Sequence, residues 1–431
     1  MSRSSPNHTL LLLLMLGLAF NQVDRLALGL LLQDIKHELL LSDTQLGLLS
    51  GIAFALFYSI MGIPIARWAD RGDRVTIISL TAAIWSLAVA LCGIATSFAQ
   101  LLLIRIGVAI GEAGYMPPAN SLIADSFGRD QRPRATAIFL LGAPVGAILG
   151  YFVAGWLNEL VGWRMTFVLL GAPGLAFAIL FRSVLRDPRS SARSASLPAG
   201  LSEPSHKPSI LAAFTVLSRN RTFLHLLIGY SIMCFFSHGI GLWKSAFFIR
   251  SHGLSTGELG TWFALIYGVG GIAGTALGGE LASRRAAGDE ALQLRTMALV
   301  TLAFGALSAL VYLAPDRYIA FGLLFVGVVG VNTAIAPLFA TIQTLVPPHM
   351  RAMAIAIVYL FANLIGMGLG PLAAGMLSDL LTASLGSEAL RYALLCLCPG
   401  YAWCAAHLWR ASHTVLADIT RQQHGTHGDA I

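Results

Sequence analysis

Residues 134–160 read RATAIFLLGAPVGAILGYFVAGWLNEL, and residues 351–380 read RAMAIAIVYLFANLIGMGLGPLAAGMLSDL. Both open on Arg-Ala-X-Ala-Ile, at Arg134 and Arg351, 217 residues apart. They close on Ala154-Gly-Trp-Leu-Asn-Glu-Leu160 and Ala374-Gly-Met-Leu-Ser-Asp-Leu380, 220 apart. A third pair, Ala69-Asp70-Arg71 and Ala282-Ser283-Arg284, lies 213 apart. Three correspondences at nearly one spacing mark an internal duplication. The stretch between opening and close is apolar and long enough to cross a bilayer, which takes about 20 residues. The duplicated unit is therefore a set of membrane helices.

Composition agrees. Of 431 residues 56% are apolar and 11% charged, and mean hydropathy is +0.73. A water-facing domain carries about 25% charged residues, so most of this surface faces lipid. A soluble enzyme, a disordered chain and a collagen-like chain are excluded. The net charge of +7 comes from basic residues between apolar runs, with no stripe suited to nucleic acid. The five cysteines, Cys92, Cys234, Cys396, Cys398 and Cys404, lie inside apolar runs without a C-x-x-C pair, so neither a disulfide framework nor a zinc site is expected.

Twelve apolar runs follow, near 10–34, 44–66, 76–96, 100–123, 135–157, 164–184, 222–248, 259–282, 294–314, 318–345, 352–377 and 390–410. The first continues past Asn21-Gln-Val-Asp24-Arg25 and has no A-x-A cleavage site, so it reads as a span rather than a signal peptide. With both termini cytoplasmic, 20 of the 28 Lys and Arg residues fall inside and five outside. The positive-inside rule selects that topology, in a cell membrane. The polar stretch 186–221, rich in Ser, Pro and Arg, reads as a cytoplasmic linker between a six-helix bundle at 1–185 and another at 222–431. Parallel six-helix repeats with a substrate site between them are a secondary-transporter architecture.

The loop Gly62…Asp70-Arg71-Gly72-Asp73-Arg74 resembles the signature loop of the major facilitator superfamily, with Asp73 where that family often has Gly. Its second-half copy carries Ser283 instead of the acid. The Asn21-Gln-Val-Asp24-Arg25 stretch resembles the spinster-like branch. So do Gly111-Glu112-Ala-Gly-Tyr115-Met-Pro-Pro118, Ile123-Ala-Asp125-Ser-Phe127, Gly162-Trp-Arg164 and Gly368-Leu-Gly370-Pro371. The likeness runs through all twelve spans. It implies transport of lipids, lysolipids or phosphorylated sphingoid bases, and links the matching intramembrane charges to proton coupling and substrate handling.

Four charges sit deep in spans: Asp24 and Arg25 in the first, Arg105 and Glu112 in the fourth. Each costs at least about 2.5–3.5 kcal/mol at the bilayer centre, so each needs a partner or a watery cavity. Asp24 and Arg25 point roughly 100° apart on a helix and do not neutralise each other. Arg105 and Glu112 are seven apart, on one face. A carboxylate whose cationic partner moves away takes up a proton, so Asp24 and Glu112 are the candidate proton-coupling pair. Arg25 and Arg105 are candidates for an anionic head group. A static ion-pair network is the competing reading. Tyr115, Trp243 and Lys244 are further candidate substrate contacts, and Lys244 equally suits snorkelling to the interface. His238 reads as a packing residue. Offset by 217, the four charges land on Gly241, Leu242, Gly322 and Val329, so protonation chemistry belongs to the first half. Asp70, Arg71 and Arg74 form a candidate cytoplasmic gate.

The expectation is a proton-coupled secondary transporter for a lipid-like or amphipathic anionic solute, acting as a monomer. Alternatives are an exporter of drug-like or organic-acid solutes and a passive uniporter. No P-loop is possible around Lys36, Lys207 or Lys244, none of which follows Gly, and no hydrolase or metalloprotease motif occurs. No cofactor or metal is expected.

Overall fold

A computed structural model describes residues 5–128, 130–189, 214–215, 217–280, 289–346 and 350–428. Most of the 186–221 linker, and Arg129, Ser283 and Arg284, lie outside the described residues. Within them the chain is helical, with no strand.

Nine stretches are long and apolar enough to cross a membrane among the described residues. Two are too long for one crossing: Arg134–Val184 has 51 residues and Met353–Arg421 has 69. At 1.5 Å per residue they would reach roughly 77 and 104 Å, against a hydrocarbon layer of about 30 Å. Each reverses at a glycine, Gly162 (φ 77°) and Gly386 (φ 54°), where a Cβ would oppose the positive φ. Together with Arg317–Leu345, the chain makes twelve crossings, in two six-helix bundles.

The first six crossings are built from eight helices: α1 (Ser5–Leu39), α2 (Asp43–Ser50), α3 (Ile52–Arg71), α4 (Arg74–Cys92), α5 (Phe98–Glu112), α6 (Met116–Ser126), α7 (Arg132–Leu140) and α8 (Gly142–Val184). The second six use α9 (Arg221–His252), α10 (Thr256–Glu280), α11 (Glu290–Leu313), α12 (Arg317–Leu345), α13 (Arg351–Phe361), a π-helical turn at Ala362–Leu369, α14 (Gly370–Leu385), α15 (Ala389–Leu397) and α16 (Gly400–Gly428). The apolar runs of the second, fourth, fifth, eleventh and twelfth crossings are each broken into shorter helices. The fourth breaks between α5 and α6, where Pro117 and Pro118 follow Tyr115 and begin a new helix. The eleventh widens to a π-turn just before Pro371, which has no N–H to continue the ladder.

The chain packs as two units, Met1–Pro204 with Gly253–Gly268, and Ser205–His252 with Val269–Ile431. In the first unit α4 shows how an apolar helix divides its surface. Leu80, Ile84, Leu87 and Leu91 are exposed along one stripe, while Ile78, Ala82, Trp85 and Val89 are buried on another. Lipid covers the first and protein the second. Gly142, Gly146 and Gly150 of α8 press against Met15, Ala19 and Val23 of α1, where a Cβ at the first two would strike backbone and at the third would be tight. These glycines serve packing inside one unit. The start of α10 joins the same unit, its Gly260 against the Tyr151 carbonyl. The second unit has its own core, including Phe223, Leu226, Leu294, Ile342 and Leu408. There Gly366 and Gly370 pack on Cys234 and Phe235 of α9.

Candidate functional site

The four intramembrane charges of the first unit meet. The 100° divergence of Asp24 and Arg25 on α1 sends them to different partners on α5. Asp24 Oδ2 accepts from Arg105 Nη1 at 3.4 Å, and Arg25 donates to Glu112 Oε2. From α3, Phe54 lies between the two cations: the Arg25 guanidinium is 4.7 Å and that of Arg105 5.3 Å from its ring centroid. Tyr58 takes a second face of Arg25, at 4.9 Å. Cation–π contacts gain strength when desolvated, reaching about 2 kcal/mol, so the aromatic ring holds two like charges near each other. Asp24, Arg105 and Glu112 are 3%, 2% and 0% exposed. Arg25, 21% exposed at its side chain, is the member of the quartet that reaches open space.

The pairing is incomplete. Asp24 Oδ1, Arg105 Nε and Glu112 Oε1 are buried without a donor or acceptor from the other residues, as is Asn21 Nδ2 one turn before Arg25, and the Asp24 and Glu112 carboxyl groups lie in side-chain hydrogen-bonding contact with each other. Buried polar atoms normally have partners, and carboxylate oxygens without one are places for a proton or a water. Glu112 is also the last residue of α5, at the break before α6. Interrupted helices at substrate and ion sites are a recurrent transporter feature.

The other candidates fall elsewhere. Tyr115 is fully enclosed, with its hydroxyl donated to the Leu14 carbonyl at 2.5 Å and its ring edge-on to Trp85. Trp243, in the second unit, is equally enclosed and donates to the Pro371 carbonyl at 3.0 Å. Lys244 is half-buried on α9, in electrostatic contact with Cys398. His238 bonds the Cys234 carbonyl one turn back, at 2.9 Å.

Around the turn between α3 and α4, the three gate candidates separate. Asp70 and Arg71 are exposed, whereas Arg74 is fully buried. Its guanidinium bonds Asp187 through Nε (2.9 Å) and Nη2, Asp125 at 2.7 Å, and both oxygens of Ser121 at 3.0 Å. Arg189 adds a bond to Asp125 at 2.8 Å. The start of α4, the end of α6 and the chain leaving α8 are thus tied at one cation. Burial would push the Asp187 carboxyl up, but Arg74 and the backbone N–H groups of Arg189 and Arg74 hold it down at about 2. Asp73, the departure from the signature loop, accepts from the Thr76 N–H at 2.7 Å and caps α4.

Asp187, Arg189 and Ser121 were missed by sequence reasoning, because nothing in a linker or a helix end announces which distant arginine it meets. Asp125 had been noted only within a motif. A second overlooked group stands at the opposite end of α1. Asp34 accepts from Asn158, which also donates to Thr256 Oγ1 at 3.1 Å. The Thr256 hydroxyl donates in turn to the Gly155 carbonyl, also at 3.1 Å. Beside it, Glu38 accepts from Trp163 and Arg164, and Arg164 reaches the carbonyls of Ala95 and Gly93 at the end of α4. Among the described residues no group of three or more metal-ligating side chains occurs.

A sequence model of the Major Facilitator Superfamily matches residues 14–371. The chain is 34% identical over 377 residues to an MFS-type efflux pump of Mycolicibacterium smegmatis, covering 88% of this chain and 86% of the pump. It is 30% identical over 240 residues to the Homo sapiens protein spinster homolog 1, covering 54% of this chain and 44% of that protein. A crystal structure of a bacterial homolog of the human lysosomal transporter spinster, inward-facing and unoccupied, matches with a TM-score of 0.83 at 30% identity. That match covers 97% of this chain and 99% of the other.

Proposed function

The chain belongs to the Major Facilitator Superfamily, is spinster-like and is a multi-pass membrane transporter rather than an enzyme; from that premise we propose that it couples a proton to the movement of an amphipathic, anionic-headed solute by alternating access. The observation that carries this reading is the paired quartet of Asp24, Arg25, Arg105 and Glu112 around Phe54. Two cations and two anions are balanced as they stand. A proton on either carboxyl loosens its arginine and leaves one net positive charge in a low-dielectric site. An anionic head group compensates that charge by bidentate hydrogen bonding. Proton and anion therefore favour each other's binding, and by linkage each raises the other's affinity by the same factor.

Lysophospholipids and sphingoid phosphates fit this chemistry, with the acyl chain among apolar side chains. Export of a drug-like solute is the second reading, favoured by the likeness to the mycobacterial efflux pump. Tyr115, Trp243 and Lys244 remain proposed substrate contacts, and Asp70, Arg71 and Arg74 proposed gate residues. Both termini lie in the cytoplasm in this reading, the membrane is the cell membrane, and the monomer is the working unit. The test is flux in proteoliposomes under an imposed pH gradient, across a panel of lysolipids, sphingoid phosphates and cationic drugs. Gradient-driven movement of anionic lipids supports the proposal. Movement of the drugs alone replaces the substrate class, and movement indifferent to the gradient makes the carrier a uniporter.

A further inference from the structure

Beside Asp24 the first unit holds a cavity of about 10 Å³. It lies among α1, α4 and α8, and its lining includes Asp24, Trp85, Ser86, Gly171 and Gly174. Two buried polar atoms belonging to that lining have no hydrogen bond, Asp24 Oδ1 and Ser86 Oγ. Ser86 is 2% exposed and Asp24 3%.

Ser86 is unlike several other buried helical hydroxyls of this chain. Ser79, Thr81 and Ser231 each turn back to a carbonyl four residues earlier, at 2.7–2.8 Å. Ser86 does not, although the same bond is open to any serine in a helix. Gly174 keeps the room its hydroxyl occupies, since a Cβ there would collide with Ser86 Oγ. An isolated buried hydroxyl and an isolated carboxylate oxygen each carry a desolvation cost.

We propose that this cavity binds a single water that accepts from the Ser86 hydroxyl and donates to Asp24 Oδ1, making Ser86 a positioning residue for the proton-coupling carboxylate. The volume admits one water, for which about 10–15 Å³ is the minimum. It is too small for a solvated cation. A bare alkali ion needs several oxygen ligands, and only two side-chain oxygens without partners line the space. The water gives Asp24 a second donor that survives when Arg105 moves, and so tunes how readily the carboxylate accepts a proton.

The charged and titratable groups around Asp24 are few. On α1 there is Arg25, from α5 come Arg105 and Glu112, the latter in side-chain hydrogen-bonding contact with Asp24, and from α4 comes Cys92, in electrostatic contact with Asp24. The α8 residues lining the cavity, Leu170, Gly171 and Gly174, carry no charge. The water thus links Ser86 of α4 to Asp24, beside the direct contact from Cys92.

This inference deepens the coupling reading and rests on Asp24 being its proton site. The experiment is difference infrared spectroscopy on the intact protein in lipid, titrated with pH, in ordinary and heavy-oxygen water. Bands absent in Asp24→Asn identify the Asp24 carboxyl, and an isotope-sensitive O–H band reports the internal water. In Ser86→Ala the water band should vanish, and Asp24 should protonate about one pH unit higher, the loss of one charge-assisted donor. Gly174→Ala, whose Cβ takes the space of the Ser86 hydroxyl and displaces it, should do the same. A water band that persists in both variants, or an Asp24 titration unmoved by either, overturns the proposal. A lowered melting temperature with an unchanged titration makes the serine merely structural, and also overturns it. Gradient-driven flux retained in Asp24→Asn is a separate failure, that of the coupling reading, and leaves the water measurement to stand on its own.

Discussion

Removing Arg25 should cost more than removing Arg25 and Glu112 together. Glu112 is fully buried, and its ion pair is with Arg25. Arg25→Met fills much of the same space yet strands a carboxylate in low dielectric. Breaking a buried pair from one side costs about 3–5 kcal/mol, whereas replacing both partners with neutral groups is often close to neutral. The single variant should therefore lose roughly two to three and a half orders of magnitude in its folded-to-unfolded ratio, at 1.4 kcal/mol per tenfold. The Arg25→Met, Glu112→Gln double variant should recover most of that. Steric trapping in bicelles at neutral pH measures both, and the deficit of the single variant should shrink in acid as the stranded carboxylate is neutralised. Equal destabilisation of single and double variants, at every pH, would refute the electrostatic account. Arg25 would then act by packing on Phe54 and Tyr58 alone.

Three further outcomes follow. Asp187 ionises at about 2 in the folded chain against an ordinary 3.8, so its stabilising contribution is complete above 3.8 and is lost as pH falls through 2. Acid unfolding of Asp187→Asn should lack that part of the slope. Arg105→Gln should weaken binding of an anionic lysolipid about tenfold or more, the worth of a charged hydrogen bond, with a much smaller effect on a neutral-headed analogue; scintillation proximity binding reads the ratio. Lys244→Met and His238→Ala should leave flux coupled to the pH gradient, since their half contains no counterpart of the quartet.

The twelve crossings and the duplication were legible because a bilayer demands long apolar runs and the repeat preserves their order. The quartet was legible for the converse reason, that a charge in such a run is costly and conspicuous. Its pairing was not. Sequence places Arg105 and Glu112 on one face of α5, but which one meets Asp24 depends on how α1 and α5 are set against each other. Arg74 illustrates the same limit. Its motif was evident, yet its main partner, Asp187, lies 113 residues away in what read as linker. The interruption before Pro371 was marked by its glycines and proline, whereas the one beside Glu112 was hidden within a continuous apolar run. Ser86 carried no signal at all. A serine in an apolar helix ordinarily bonds its own backbone, and only its unbonded hydroxyl in the cavity it shares with Asp24 sets it apart.

The central claim is that Asp24 and Glu112 carry the coupling proton, and flux in proteoliposomes containing the Asp24→Asn, Glu112→Gln double variant tests it most directly. Both substitutions keep size and hydrogen-bonding shape while removing ionisation. Under an imposed pH gradient the wild-type chain should accumulate its substrate beyond equilibrium, and the double variant should only equilibrate it, with counterflow exchange preserved. Accumulation by the double variant at the wild-type level would contradict the account, because no proton would then need either carboxylate.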